Sequence, residues 1–356
     1  AWRCADSLSL RDFLGVGTTG RTPDHSSLTV IRQRLPLAVY QEVFAFVLKL
    51  AAEKGFFEGK IAGMDATLLE ANAAMKSIVR RDTGDDWKAY VRHLAAEEGV
   101  EIDDDEDLRR FDKTRKNKGV SNKDWKSETD PDSRIMRMKN GRTHLAYKAE
   151  HAMDLDSQLV LAAEIYAGDV SDGDSMAETA RKAKALVRRI NGRTTLRDIV
   201  ADKGYHKTAA LVEMKKLGLR TNVPERNDPY QRVWVGKPAA EKEAVYGNRR
   251  RVRGKRNAGL QRSRTEITER GFAHACVTGG GRRSHLRGLE QVRKRHLCLV
   301  AALNLGVIMR KAFGIGTPKA LQGLASLLRA LLRALCVAWR SSQAPPQSSD
   351  PIPAAA

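Results

Sequence analysis

Apolar positions in the first 55 residues recur at helical spacing. Pro23-Asp24-His25-Ser26-Ser27 is a helix start, followed by Leu28, Ile31 and Leu35 on one face and Arg32 and Arg34 turned away from it. A second helix is built on Val39, Val43, Phe46, Val47 and Leu50. Then the period changes. Residues 60–67 (KIAGMDAT) read as a buried strand. Residues 144–153 alternate Leu145, Tyr147 and Ala149 with Ala146, Lys148 and Glu150, turn through Asp154-Leu155-Asp156-Ser157, and return along residues 159–166, which predicts a hairpin. A helix over about 175–189, a strand over 196–202, a helix over 209–217 and a short strand near 220–223 follow. Strand, hairpin, helix, strand, helix is the order of a mixed α/β sheet. Residues 297–309 predict a further buried helix packed on that sheet.

The chain is 356 residues long and its formal net charge is +20. With 42% hydrophobic residues it can bury a sizeable core. The longest uncharged apolar run in its body, residues 297–309, falls short of the roughly 20 residues of a membrane-spanning helix. Cys4, Cys276, Cys298 and Cys336 lie far apart and form no CxxC pair, so neither a disulfide framework nor a zinc site is expected, and reduced thiols in the cytoplasm are. The large positive charge selects a polyanion as partner, nucleic acid before membrane.

That charge is uneven. Residues 241–311 hold 18 lysines and arginines against five acidic residues, including the run Arg249, Arg250, Arg251, Arg253, Lys255 and Arg256 and the pair Arg282 and Arg283. In an average protein such a run is a solvated loop; here the chain-wide charge favours phosphate contact. Arg32 and Arg34 on the N-terminal helices join the candidate DNA contacts. Residues 82–113 reverse the balance, and the run 103–107 (DDDED) predicts a solvated, poorly ordered insertion.

Among so many carboxylates, position discriminates. Asp65 stands in the middle of an apolar strand, where an ionised carboxylate is costly unless it faces a metal, a donor or an open cleft. Asp202 ends a second apolar strand and precedes the turn Lys203-Gly204-Tyr205. Two aspartates on neighbouring strands form a natural pair of metal ligands, and Glu269 on a helix could close the site from above. Oxygen ligands of this kind suit Mg²⁺. The bland readings are a turn-capping aspartate for Asp65, a strand end for Asp202 and a solvated helix carboxylate for Glu269. Trp234 reads as core rather than as a platform for stacking bases, and His274 and His285 as ordinary polar residues.

Taken in order, Gly63-Met64-Asp65-Ala66-Thr67 with Glu70-Ala71-Asn72-Ala73, then Ala201-Asp202-Lys203-Gly204-Tyr205, then Glu269-Arg270-Gly271-Phe272-Ala273-His274, the chain resembles the DDE transposases of bacterial insertion sequences. The N-terminal segments at residues 6–14 and 23–28 resemble those that precede the catalytic domain in that family. The resemblance implies a ribonuclease H-like fold with a mixed five-stranded sheet flanked by helices, preceded by a small helical region. It implies Asp65, Asp202 and Glu269 as catalytic carboxylates holding Mg²⁺ or Mn²⁺, two ions, with Glu266 the alternative third carboxylate. It also implies double-stranded DNA, as transposon ends and target, bound by a homodimer or higher assembly at the nucleoid, with end cleavage and strand transfer as the activity. A catalytically inactive DNA-binding remnant and a nuclease without strand transfer are the alternatives. The expected organisation is a helical DNA-binding region over 1–58, which opens at Ala1 and is expected to lack its natural start. A catalytic domain over 59–313 follows, with a charged insertion at about 82–140, then an amphipathic helix over 314–340 carrying Leu321, Leu324, Leu328, Leu331 and Leu335, and a disordered tail over 341–356.

Overall fold

The computed structural model of the chain describes residues 2–116, 119–192, 194–226 and 232–314. The expected helix over 314–340 and the tail after it lie outside the described residues, apart from Gly314. The chain divides into two compact units, residues 1–305 and 306–356.

Four helices open the first unit: α1 (Trp2–Asp6), α2 (Leu8–Phe13), α3 (His25–Arg34) and α4 (Leu37–Glu53). The expected start of α3 is borne out, with Asp24 as N-cap accepting from Ser27 N at 2.7 Å. Its apolar face is not covered: Leu28, Ile31 and Leu35 are all exposed. On α4 the buried stripe is Phe44, Ala45, Val47, Leu48 and Ala51, one step round the helix from the expected one, and Val39, Val43 and Phe46 face solvent. This helix is apolar on both flanks, so its periodicity alone could not choose the buried side.

The strands follow. β1 (Ile61–Glu70) leads through β2 (Ile78–Arg80), α5 (Trp87–Glu97), α6 (Asp105–Thr114), β3 (Trp125–Ser127) and β4 (Arg134–Arg137) to the long hairpin of β5 (Thr143–Asp154) and β6 (Val160–Ala167). Then come α7 (Asp172–Ile190), β7 (Asp198–Val200), α8 (Thr208–Lys216), β8 (Arg220–Asn222), α9 (Ala239–Arg253), α10 (Lys255–Ala273) and α11 (Leu289–Phe313). The main sheet has six strands rather than five. Its path runs β6-β5-β1-β7-β8, with the short β4 continuing the β6 edge of β5. β5 is antiparallel to β1 and to β6, while β7 and β8 run parallel to β1. This is a ribonuclease H-like sheet. β2 and β3 form a separate two-stranded ribbon that packs Ile78 and Trp125 against Leu145 and Tyr147 of the sheet.

The acidic run at 103–107 is not loose. Asp104 caps α6 by accepting from Glu106 N and Asp107 N, both at 2.8 Å, and Asp105, Glu106 and Asp107 fill the first turn, where negative charge meets the positive end of the helix dipole. The polar positions of β5 are interior. Lys148 and Glu150 are buried, because helices cover both faces of this central strand. Among the described residues α11 is the one helix long and apolar enough to cross a bilayer. Its Val292, Leu297, Val300, Ala301 and Asn304 are buried, as befits a core helix.

Candidate active site

Asp65 and Asp202 come together because β1 and β7 are parallel neighbours. The pairing ends at Gly63 and Val200, and each chain reaches its aspartate two residues further on, close enough for the two carboxylates to interact. Their electrostatic interaction is repulsive and adds to the main effect on Asp65, which is burial; together these push its carboxyl above the usual aspartate range against three opposing contacts. Ala66 N donates to Oδ1 at 2.8 Å, while Thr268 Oγ1 at 3.1 Å and the Arg264 guanidinium at 3.4 Å meet Oδ2.

Both Thr268 and Arg264 stand on α10, one turn apart, and both are buried against β1. Gly63 makes this close crossing possible: a methyl group there would come within 3.0 Å of Arg264 Cγ and 2.7 Å of Leu155 Cδ2. Thus α10 lies across the aspartate pair, and the sequence reading missed both of its contacting residues. The available signal was their i, i+4 spacing on the helix that carries Glu269.

Glu269 follows Thr268 on α10 and is exposed. Glu266 is exposed as well and is ion-paired with Arg270, which also reaches Gln158 at 3.4 Å. Among the described residues no three carboxylate, histidine or cysteine side chains gather as a metal site. The structure therefore brings Asp65 and Asp202 together and leaves Glu269 outside the pair. An all-oxygen pair of carboxylates fits a divalent ion such as Mg²⁺ that takes its remaining ligands from water and phosphate.

Asp202 is fixed by its own turn. It caps the 3₁₀ turn Lys203–Tyr205, accepting from Gly204 N at 2.7 Å. Tyr205 plunges into the core and donates to Glu150 Oε1 at 3.1 Å. Glu150 is fully buried, and burial pushes its carboxyl up despite Lys148 at 3.5 Å and bonds from Ser175, at 2.6 Å, and Thr179 of α7. Lys148 in turn reaches Asp172 Oδ1 at 3.1 Å. This network ties the Asp202 turn to β5 and α7.

On the α10 face, His151 lies directly across from Asp65 in the β1–β5 register. It stacks on Phe272, 4.3 Å between ring centres, and its Nε2 lies 2.8 Å from that of His296 on α11. Burial holds both imidazoles neutral, His151 well below the usual histidine range and His296 at about 4.

The candidate DNA contacts separate into two groups. Arg249 forms an ion pair with Glu225 at 2.7 Å, Arg251 donates to Thr221 O at 2.7 Å, and Arg256 lies 3.8 Å from Asp198. Arg34, Arg250, Arg253, Lys255 and Arg282 are exposed, as is Arg283, 3.7 Å from Glu70. The basic run is helical, closing α9 and, after Gly254, opening α10. Trp234 is not core; it is half-buried in the segment before α9, tilted on Tyr246 at 5.9 Å between ring centres.

Comparison with protein families decides the identity. The model of the transposase DDE domain matches residues 111–305, more than half of the chain. The chain belongs to this family. The match spans the transposase from α6 into α11 and includes Asp202 and Glu269, while Asp65 precedes it. Comparisons with curated proteins and with solved structures give no match to the transposase.

Proposed function

We propose that this transposase binds the terminal inverted repeats of its own element, cleaves DNA at the ends and joins the freed 3′-hydroxyls to target DNA. The observation that carries the reading is the Asp65–Asp202 pair, on β1 and just past the end of its parallel neighbour β7, beneath α10. Asp65 and Asp202 would hold Mg²⁺ or Mn²⁺, with Glu269 as the third carboxylate; the metal, when bound, neutralises charge on the phosphate and favours ionisation of the attacking oxygen. The chain's own residues set this up. Arg264 and Thr268 orient Asp65 and oppose the upward push of burial on its carboxyl, and the Asp202 turn is pinned through Tyr205. Glu269 stands one position round α10 from Thr268, and its side chain would have to reach across to the pair to complete the set.

The exposed cations of α9 and α10 hold the DNA backbone, and the N-terminal helices read sequence. Pairing two ends calls for at least a dimer on DNA, working at the bacterial nucleoid. A second reading, a DNA-binding remnant without cleavage, is favoured by one observation: Glu269 does not join the pair as a third ligand.

One experiment separates them. A labelled duplex carrying the element's end is incubated with Mg²⁺ or Mn²⁺ and either the transposase or Asp202→Asn. Metal-dependent nicking that falls by at least about a thousandfold in the variant, with DNA affinity kept, is the expected result. Equal binding without nicking by either protein establishes the remnant.

A further inference from the structure

A polar cavity of about 340 Å³, lined by neither Asp65 nor Asp202, lies between α3 and the entry to α11. It is assembled from three distant parts of the chain: Arg32 and Gln33 of α3, Asn72 just after β1, and His285, Arg287 and Gln291 at the entry to α11. None of the described residues that line it is a carboxylate. The walls are fixed to one another. Asn72 Nδ2 donates to His285 O at 3.1 Å, and Arg287 Nε donates to Asn72 O at 3.1 Å. Ser284 N donates to Glu70 O at 2.8 Å, so the 282–287 loop runs as an extension beside the end of β1. The buried Lys294 reaches back to Arg32 O at 3.4 Å.

One lining side chain, Arg32, carries a buried donor that no described residue satisfies, its Nε. Buried polar atoms of this kind are costly unless something meets them. Arg287 uses only Nε on the protein, and the two terminal amino groups of its fork make no hydrogen bond with a described residue. Two guanidinium groups, carboxamides and no opposing acid form a receptor for a phosphodiester, whose oxygens match the guanidinium fork.

We propose that this cavity seats a backbone phosphate of the bound DNA, so that α3 and the loop before α11 grip one strand jointly. The proposal rests on the DNA-binding part of the reading above but not on cleavage. It makes Arg287 a DNA-binding residue that the sequence did not single out and joins Arg32 to it, with Asn72 holding the wall between them.

The test is fluorescence anisotropy of the full chain with the labelled end duplex across a salt series. It compares the wild type with Arg32→Ala, Arg287→Ala, the double variant, Arg287→Lys, and Arg181→Ala as a control on α7. Each alanine variant is expected to lower the slope of log affinity against log salt by about 0.9 for each phosphate no longer neutralised, about equally for unrelated duplexes. Arg287→Lys is expected to keep most of the slope and Arg181→Ala all of it. If Arg32→Ala loses its thermal transition, Arg32→Gln, which keeps the packed stem, replaces it.

Wild-type binding with unchanged slopes in both alanine variants overturns the cavity alone. Absence of wild-type binding to any duplex overturns the cavity and the DNA-binding reading together. Inorganic phosphate that raises the melting temperature of the wild type but not of Arg287→Ala, with slopes unchanged, assigns the cavity to free phosphate and overturns the DNA assignment.

Discussion

Gly204 shows how tightly a single residue constrains the site. A methyl group at this position would lie 2.9 Å from Asp202 Oδ1 and 3.0 Å from Asp172 Oδ2, inside contact distance of both oxygens. Gly204 N also supplies the hydrogen bond that orients Asp202. The constraint at this glycine is space around the two carboxylates, since its backbone is not in the left-handed region. Gly204→Ala must push the Asp202 carboxylate aside, and displacements of about 1 Å in a reacting constellation cost on the order of a hundredfold. Cleavage by Gly204→Ala should drop by roughly that factor, while affinity for the end duplex stays within about twofold, because the change does not touch the cationic surface. Parallel fall of both quantities would instead mean that the whole turn has collapsed. Tyr205, next in line, anchors the same turn from below through Glu150. The sequence revealed the aspartates because each interrupts or ends an apolar strand. It could not reveal Glu150: Lys148 and Glu150 alternate with apolar neighbours as a solvated face would, and only the cover of α7 with Ser175 and Thr179 makes that face interior.

At the level of elements, long strands were legible and the partners of short ones were not. β1 and the β5–β6 hairpin show in the pattern because apolar runs and a turn bound them, and the core of the α10 segment shows in its motif. The strands expected over 196–202 and near 220–223 are present as β7 and β8, but they span only three residues each and nothing in the sequence told what secures them. They are held by side chains from elsewhere. Asn248 of α9 accepts from Val223 N at 3.0 Å and donates to Val223 O at 2.8 Å, so its amide behaves like another strand at the end of β8. Asn304 of α11 does the same to Val160 at the start of β6, at 2.8 and 2.9 Å. Both asparagines are fully buried. Asn248→Ala leaves two buried main-chain groups unpaired, each costing about 1–3 kcal/mol. The expected result is a loss of some 2–5 kcal/mol in urea unfolding, against well under about 1 kcal/mol for alanine at the exposed Arg253 of the same helix. Near-equal losses would show that α9 packs on β8 without need of this clamp. The buried side of α4 escaped the sequence for a related reason: apolar residues on both flanks let the tertiary neighbours choose.

For the whole molecule, the most consequential buried groups are His151 and His296, because they sit where the sheet meets α10 and α11. Both are held neutral by burial. For a histidine whose pKa falls on folding, the native state binds fewer protons than the unfolded chain between the two values. Its stabilising effect is thus complete above the unfolded value near 6.5 and is lost as pH falls toward the folded value, about 4 for His296. Each such group contributes a slope of up to about 1.4 kcal/mol per pH unit in that window. Glu150, Asp65 and Asp154 pull the other way: burial raises their carboxyls, so what they add is present at low pH and lost as pH rises through their folded values. The net curve alone cannot apportion these opposing contributions, but a difference can. Replacing both imidazoles, His151→Leu with His296→Leu, leaves the carboxyls in place. Unfolding measured from about pH 7 down to about pH 4 should show the wild type losing stability more steeply than the double variant, with the gap opening only below about 6.5. Parallel curves would mean that the two rings are protonated in the folded chain as readily as in the unfolded one, and that the Nε2 contact between them is not a bond between neutral imidazoles.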